Sequence, residues 1–313
     1  GIAEDDFTLK FAVFHTLFNV IGVVLMTPLI PWLVRFLERL LPEPALDVSV
    51  PHFLNNAALG FPDTALKAIV LEAGHLYDNA FALMCQGLGL RESDLRSEKD
   101  LVEILRTAPP PPDVDLEDLY ERRIKGLYGA IVAFASQAES NMVPQQVALL
   151  TAVRTVLRGV VLAIKDVKHL HKNLQRYVAS DNEDIRAQYG EARLFVARVL
   201  RATTQIRDDR EGALAALSAI SAEIDGFDIV ESGILDQLIR ERRITPAMAT
   251  SLLNDSGYVM NISRKLSEAG LIVLRDETYE FLQSVRAATG EEGDGTLDAD
   301  AAVGIEARAQ AAP

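Results

Sequence analysis

Phe11–Val34 reads FAVFHTLFNVIGVVLMTPLIPWLV, and no charged residue stands between Lys10 and Arg35. At 1.5 Å of rise per residue, about 24 helical positions extend about 36 Å, enough to cross a bilayer. Few folds in water need such a run, so the rest of the chain reads as a domain hung from a membrane segment. Pro28 and Pro31 interrupt it. Pro28 has no N–H to give and crowds the preceding turn, so the helix should bend or end near Thr27. From Pro31 the sequence PWLVRFLERLLP turns amphipathic: Arg35, Glu38 and Arg39 on one face, Trp32, Leu33, Phe36, Leu37 and Leu40 on the other. That suits an interfacial turn with Trp32 at headgroup depth. Two arginines on this side against one lysine on the other place the downstream chain in the cytoplasm.

Three polar residues sit inside the run. His15 and Asn19 are four apart and share a face, with Thr16 beside them. Polar groups at that depth face a protein interior or a water-filled path. They are candidates for a transport path or for interhelical hydrogen bonds, with Gly22 allowing close approach of a neighbour. On either reading the helix has partners.

The chain has 313 residues and a net charge of −14 with a pI near 4.9, the wrong sign for nucleic-acid binding. A lone cysteine, Cys85, supplies no disulfide framework and no thiolate metal site, and fits a reducing compartment. No basic leader precedes the apolar run, so a signal peptide is not expected.

The remainder is helical by pattern. Residues 1–41 form the membrane helix and interfacial turn, 42–62 a Pro-rich connector, 63–288 a helical domain, and 289–313 an acidic, Gly- and Ala-rich tail expected to be disordered. Within the domain the periodicity predicts six long helices: 63–88, 116–141, 144–178, 180–207, 210–241 and 245–288. A short one follows Ser97, and Pro109–Pro112 reads as an exposed spacer. Ser97 with Asp100, and Ser180 with Glu183, read as capping pairs, and Gly226, Gly233, Gly257 and Gly270 as weak points. The expected fold class is all-α, one transmembrane helix followed by two packed three-helix bundles.

Chemistry-bearing residues are sparse. Glu72, His75 and Asp78 recur at three-residue spacing, and Asp166 with His169 is a second such pair. A closed metal site needs three or four converging donors, so a satisfied polar network is favoured over a metal. Lys165, Lys168, His169, His171, Lys172 and Arg176 form a basic cluster that suits either anionic lipid or pairing with neighbouring acids. No phosphate-cradling loop, nucleophile elbow or HExxH pair is present, so no enzymatic activity is expected.

Four stretches carry a family resemblance: AVFHTLFNVIGVVLMTPLIPWLVRFLERLLP (12–42), PDTALKAIVLEAGHLYDNAF (62–81), KDVKHLHKNL (165–174) and ITPAMATSLLNDSGYVMNISRKL (244–266). The first resembles the last membrane segment of bacterial sodium/phosphate cotransporters. The others resemble the PhoU-like domain that follows it. The resemblance implies a multi-pass protein of the bacterial inner membrane with a cytoplasmic regulatory domain, sodium as coupling ion and inorganic phosphate as cargo. The family's Gln-Ser-Ser repeats have no counterpart here, so the ion and substrate sites would lie upstream. Stand-alone PhoU proteins bind metal through Glu/Asp-x-x-x-Asp motifs. Here Leu76 and Leu170 stand four after Glu72 and Asp166, so a resident metal or other cofactor is not expected in this chain. A cytoplasmic regulatory protein is an implied partner. A single-pass anchored scaffold is the alternative.

Overall fold

The computed structural model describes residues 7–30, 32 and 50–289. Among them every regular element is helical. The interfacial turn around Arg35–Arg39, the first part of the connector and the 290–313 tail lie outside the described residues. The chain divides into two units, 1–47 and 48–313, and each is described by itself.

The first unit is α1 (Phe7–Met26), followed by a 3₁₀ turn over Thr27–Leu29. The α-helix ends at Met26 because Pro28 has no N–H for the carbonyl four residues back. Phe11, Phe14, Leu17, Phe18, Val23 and Val24 are all exposed, so the helix is apolar all round rather than along one stripe. Phe11–Leu29 is long and apolar enough to cross a membrane.

The second unit is built on α2 (Pro62–Leu88) and α7 (Pro144–Val178). Pro62 opens α2 at a position where a missing N–H costs nothing, and Gly89 closes it at φ +66°. Gly89 is required twice over, since a Cβ there would also meet the Pro111 backbone at 2.7 Å. Two short helices follow, α3 (Glu92–Leu95) and α4 (Leu101–Thr107). Asp100, not Ser97, caps α4, accepting from the Val102 N–H, while Ser97 turns back to Asp94.

Pro109–Pro112 is not a free spacer. Pro111 is buried, and the Pro109 carbonyl is held by Arg193. Beyond it run α5 (Leu116–Tyr120), a π-helical turn over Glu121–Lys125, and α6 (Gly126–Ala138). The predicted single helix is therefore broken in register and ends in a 3₁₀ turn, Glu139–Asn141.

α7 runs as its periodicity predicts. It too is long and apolar enough to cross a membrane, with 39% of that window buried within its own unit. Its apolar face packs on α2 and on α11 (Pro246–Val273). α8 (Glu183–Gln205) is capped by Asn182 rather than Ser180, because the Asn182 side chain accepts from Ile185 and also donates to the Arg243 carbonyl. The predicted fifth helix is two. α9 (Arg210–Glu223) gives way to a 3₁₀ turn at Gly226 and an Asp228 turn, and Gly233, at φ +72°, starts α10 (Ile234–Arg240).

The sixth also breaks, at Leu274 rather than at a glycine. Arg210 donates to the Leu274 carbonyl and pairs with Asp276, ending α11 and starting α12 (Asp276–Thr289). Gly257 and Gly270 stay helical. Gly270 lets α9 approach, a Cβ there meeting Leu217 at 2.6 Å. α2, α6 and α7 form one group and α8, α9 and α11 another, joined chiefly along α7 and α11 over one continuous core from Ala58 to Val285.

Candidate functional site

On α1 the polar side chains bond to their own helix. Asn19 Nδ2 donates to the His15 carbonyl at 2.9 Å, Thr16 to Ala12 at 2.9 Å and Thr27 to Val23 at 2.7 Å. Each pair spans four residues, so both hydroxyls and one of the two Asn19 N–H groups are satisfied without a neighbouring helix. What remains for a partner or a path is the Asn19 amide oxygen and its second N–H, with the His15 ring, all on the exposed surface of α1.

Of Glu72, His75 and Asp78, the first two meet. Glu72 is fully buried in α2. One carboxylate oxygen accepts from the Phe53 N–H at 2.7 Å, and the other lies 2.8 Å from His75 Nδ1. His52 stacks on His75 with ring centroids 4.2 Å apart. The cluster thus pins residues 52–53, just upstream of the bundle, onto its first long helix. Among the described residues no group of three or more His, Cys, Asp or Glu is arranged to hold a metal ion.

The two histidines on α7 separate as their spacing predicts. His171 is buried, with Nδ1 2.8 Å from the Gly87 carbonyl and Nε2 unpartnered, while exposed His169 stacks on Tyr258. Lys168 pairs with Glu117 and lies over the Tyr120 ring at 4.4 Å, so part of the basic cluster is neutralised internally. Lys165, Lys172 and Arg176 remain exposed.

A polar seam joins α7 to α11. Tyr177 donates to Ser251 at 3.4 Å, Asn173 hydrogen-bonds Asp255, and His169 meets Tyr258. Positions fall along α7 as they rise along α11, so the helices are antiparallel. KDVKHLHKNL and SLLNDSGY, far apart in sequence, therefore lie face to face. Asp255 also accepts from Tyr189 of α8 at 2.5 Å. Burial pushes the Asp255 carboxyl up, and the Tyr189 and Asn173 hydrogen bonds pull it part of the way back. The Cys85 thiol is pushed up by burial and stays protonated, which makes it inert.

No protein-family model, curated protein or solved structure matches this chain.

Arg193 is the residue that the pattern alone gives no reason to single out. It is 1% exposed, and its guanidinium donates to the carbonyls of Leu88 and Gly89, both at 2.7 Å, and of Pro109 at 2.9 Å. It caps the C-terminal end of α2, where unsatisfied carbonyls carry partial negative charge. The one signal was an arginine on an otherwise apolar face of α8.

Proposed function

We propose that this chain is the C-terminal portion of a sodium-dependent inorganic phosphate transporter of the bacterial inner membrane, its helical bundle acting as a cytoplasmic PhoU-like regulatory module. The observation that carries the reading is the coupling, in one chain, of an apolar helix, exposed and uncharged from Phe11 to Met26, with an all-α unit in which two of the family-like stretches, KDVKHLHKNL and SLLNDSGY, pack against each other. α1 supplies the last membrane segment. His15 offers its ring, and Asn19 an amide oxygen and an N–H, to neighbouring membrane helices, and the sodium and phosphate sites belong to repeats upstream. The module reports phosphate status or binds a cytoplasmic regulatory protein, and passes the signal through the segment after Pro28. No catalytic step is assigned to it.

The test is removal of residues 61–313 from the full-length protein, followed by sodium-dependent phosphate uptake in phosphate-starved and phosphate-replete cells. Uptake that no longer responds to phosphate supports the reading. An unchanged response sinks the regulatory role.

One observation favours a second reading. Because Thr16, Thr27 and one N–H of Asn19 find acceptors within α1, the helix needs fewer neighbours, as a lone anchor of a regulatory scaffold would. The coding sequence upstream of Gly1 separates the two. Further apolar segments with Gln-Ser-Ser repeats mean transporter, and a nearby start codon means anchor.

A further inference from the structure

α10 ends in a left-handed cap. The Arg242 N–H bonds the Ile239 carbonyl at 3.0 Å, the Arg243 N–H bonds Leu238 at 2.9 Å, and Arg242 itself sits at φ +53°. This is the position where helices place glycine, because a Cβ strains the left-handed backbone. α2 ends in the same pair of bonds, from Gly89 to Gln86 at 3.0 Å and from Leu90 to Cys85 at 2.9 Å, and there the residue is glycine. Strain kept where a glycine would relieve it points to a side chain that is needed.

The surroundings say for what. Arg242 helps to line an open surface hollow of about 460 Å³, together with Ile239, Ile244, Pro246, Ala249 and Thr250. The lining is apolar and includes no acid. The nearby carboxylates of Asp184 and Glu241 are taken by Arg243. The Arg242 guanidinium has no ion-pair partner among the described residues, and its side chain is exposed. An open, largely apolar hollow with one unpaired cation in its lining suits a molecule with an apolar body and an anionic head.

We propose that this hollow binds an anionic amphiphile, a carboxylate or phosphate head on a short apolar chain, with Arg242 gripping the head and Ile239, Ile244 and Ala249 covering the chain. The head group comes from a free metabolite or from a lipid, and the experiment separates the two. The full chain is held in nanodiscs of zwitterionic lipid with its isoleucine methyl groups labelled, and octanoate is titrated in. The expected result is a saturable shift of the Ile239 and Ile244 methyl signals. Uncharged octanamide should bind more weakly, by up to about fivefold, since a pair between a carboxylate and an exposed arginine is worth up to about 1 kcal/mol. Arg242→Gly should lose binding by a similar factor while melting no lower than the parent, because it removes strain. Thr250→Trp, which fills the hollow from an exposed position, should abolish the shift with the fold intact. In discs of anionic lipid without octanoate, the same signals shift if the head belongs to a lipid. The proposal is overturned if neither octanoate nor anionic lipid gives a saturable shift, or if Arg242→Gly binds as the parent does.

Discussion

Replacing Arg193 with methionine keeps most of the side chain's bulk and removes its three hydrogen bonds. The carbonyls of Leu88, Gly89 and Pro109 then face the interior of the bundle without the guanidinium. Removing one side of a buried, charged interaction typically costs about 3–5 kcal/mol, because the groups left behind stay desolvated. Here part is recovered. Burial alone lowers the Arg193 pKa to about 10, so holding the cation inside already has a cost that methionine avoids. A net loss of about 3 kcal/mol is expected. For a unit of this size each kcal/mol moves the melting temperature by about 2–4 °C, so a fall of about 6–12 °C follows. Circular dichroism on the full chain in nanodiscs reads it. Hydrogen exchange should show the loss first at Leu88–Leu90 and around Pro111, the two segments that Arg193 joins. Arg193→Lys, with a point charge but no fork, should fall between. A loss below about 1 kcal/mol, or exchange that rises evenly across the bundle, would refute the capping argument.

Three further outcomes follow from the same structure. Glu72→Leu leaves the Phe53 N–H without its acceptor, so unfolding should cost about 2–4 kcal/mol less and the Phe53 amide should exchange freely; a still-protected amide would contradict this. The Asp255 carboxyl is pushed above its unfolded value, so the folded state binds more protons there and stability falls as pH rises from the usual carboxylate range through the raised pKa. Asp255→Asn should therefore be more stable than the parent at pH 7 and show a flatter stability profile on the acid side, measured by urea titration at several pH values. Val20→Arg puts a charge in the middle of the Phe11–Leu29 span, at about 2.5–3.5 kcal/mol for a spanning helix, so more protein should leave the membrane in alkaline carbonate; unchanged retention would mean α1 does not span.

The sequence and the structure agree where local chemistry decides. α2 and α7 begin at Pro62 and Pro144, each proline suited to the first turn, and α2 stops at Gly89. Periodicity carries between these marks because one face packs along the whole length. Agreement fails where a distant residue decides. Ser180 and Asn182 are both good caps, and the Arg243 carbonyl selects Asn182. α11 passes Gly257 and Gly270 and breaks at Leu274, because Arg210, more than sixty residues away, takes the carbonyl. Prolines 109–112 look like a spacer until Arg193 holds one of them. The same holds for the polar sites. Spacing put His15 with Asn19 and Glu72 with His75, both local pairs. The meeting of His52 with His75, and of Asp255 with Tyr189 and Asn173, depends on the tertiary fold, and no local pattern encodes it.

The proposal that this chain closes a sodium-coupled phosphate transporter is tested most directly by reconstituting the full-length protein into liposomes and following labelled phosphate. The account predicts uptake that needs an inward sodium gradient and collapses when potassium replaces sodium. Phosphate accumulation that is absent, or indifferent to sodium, would contradict it.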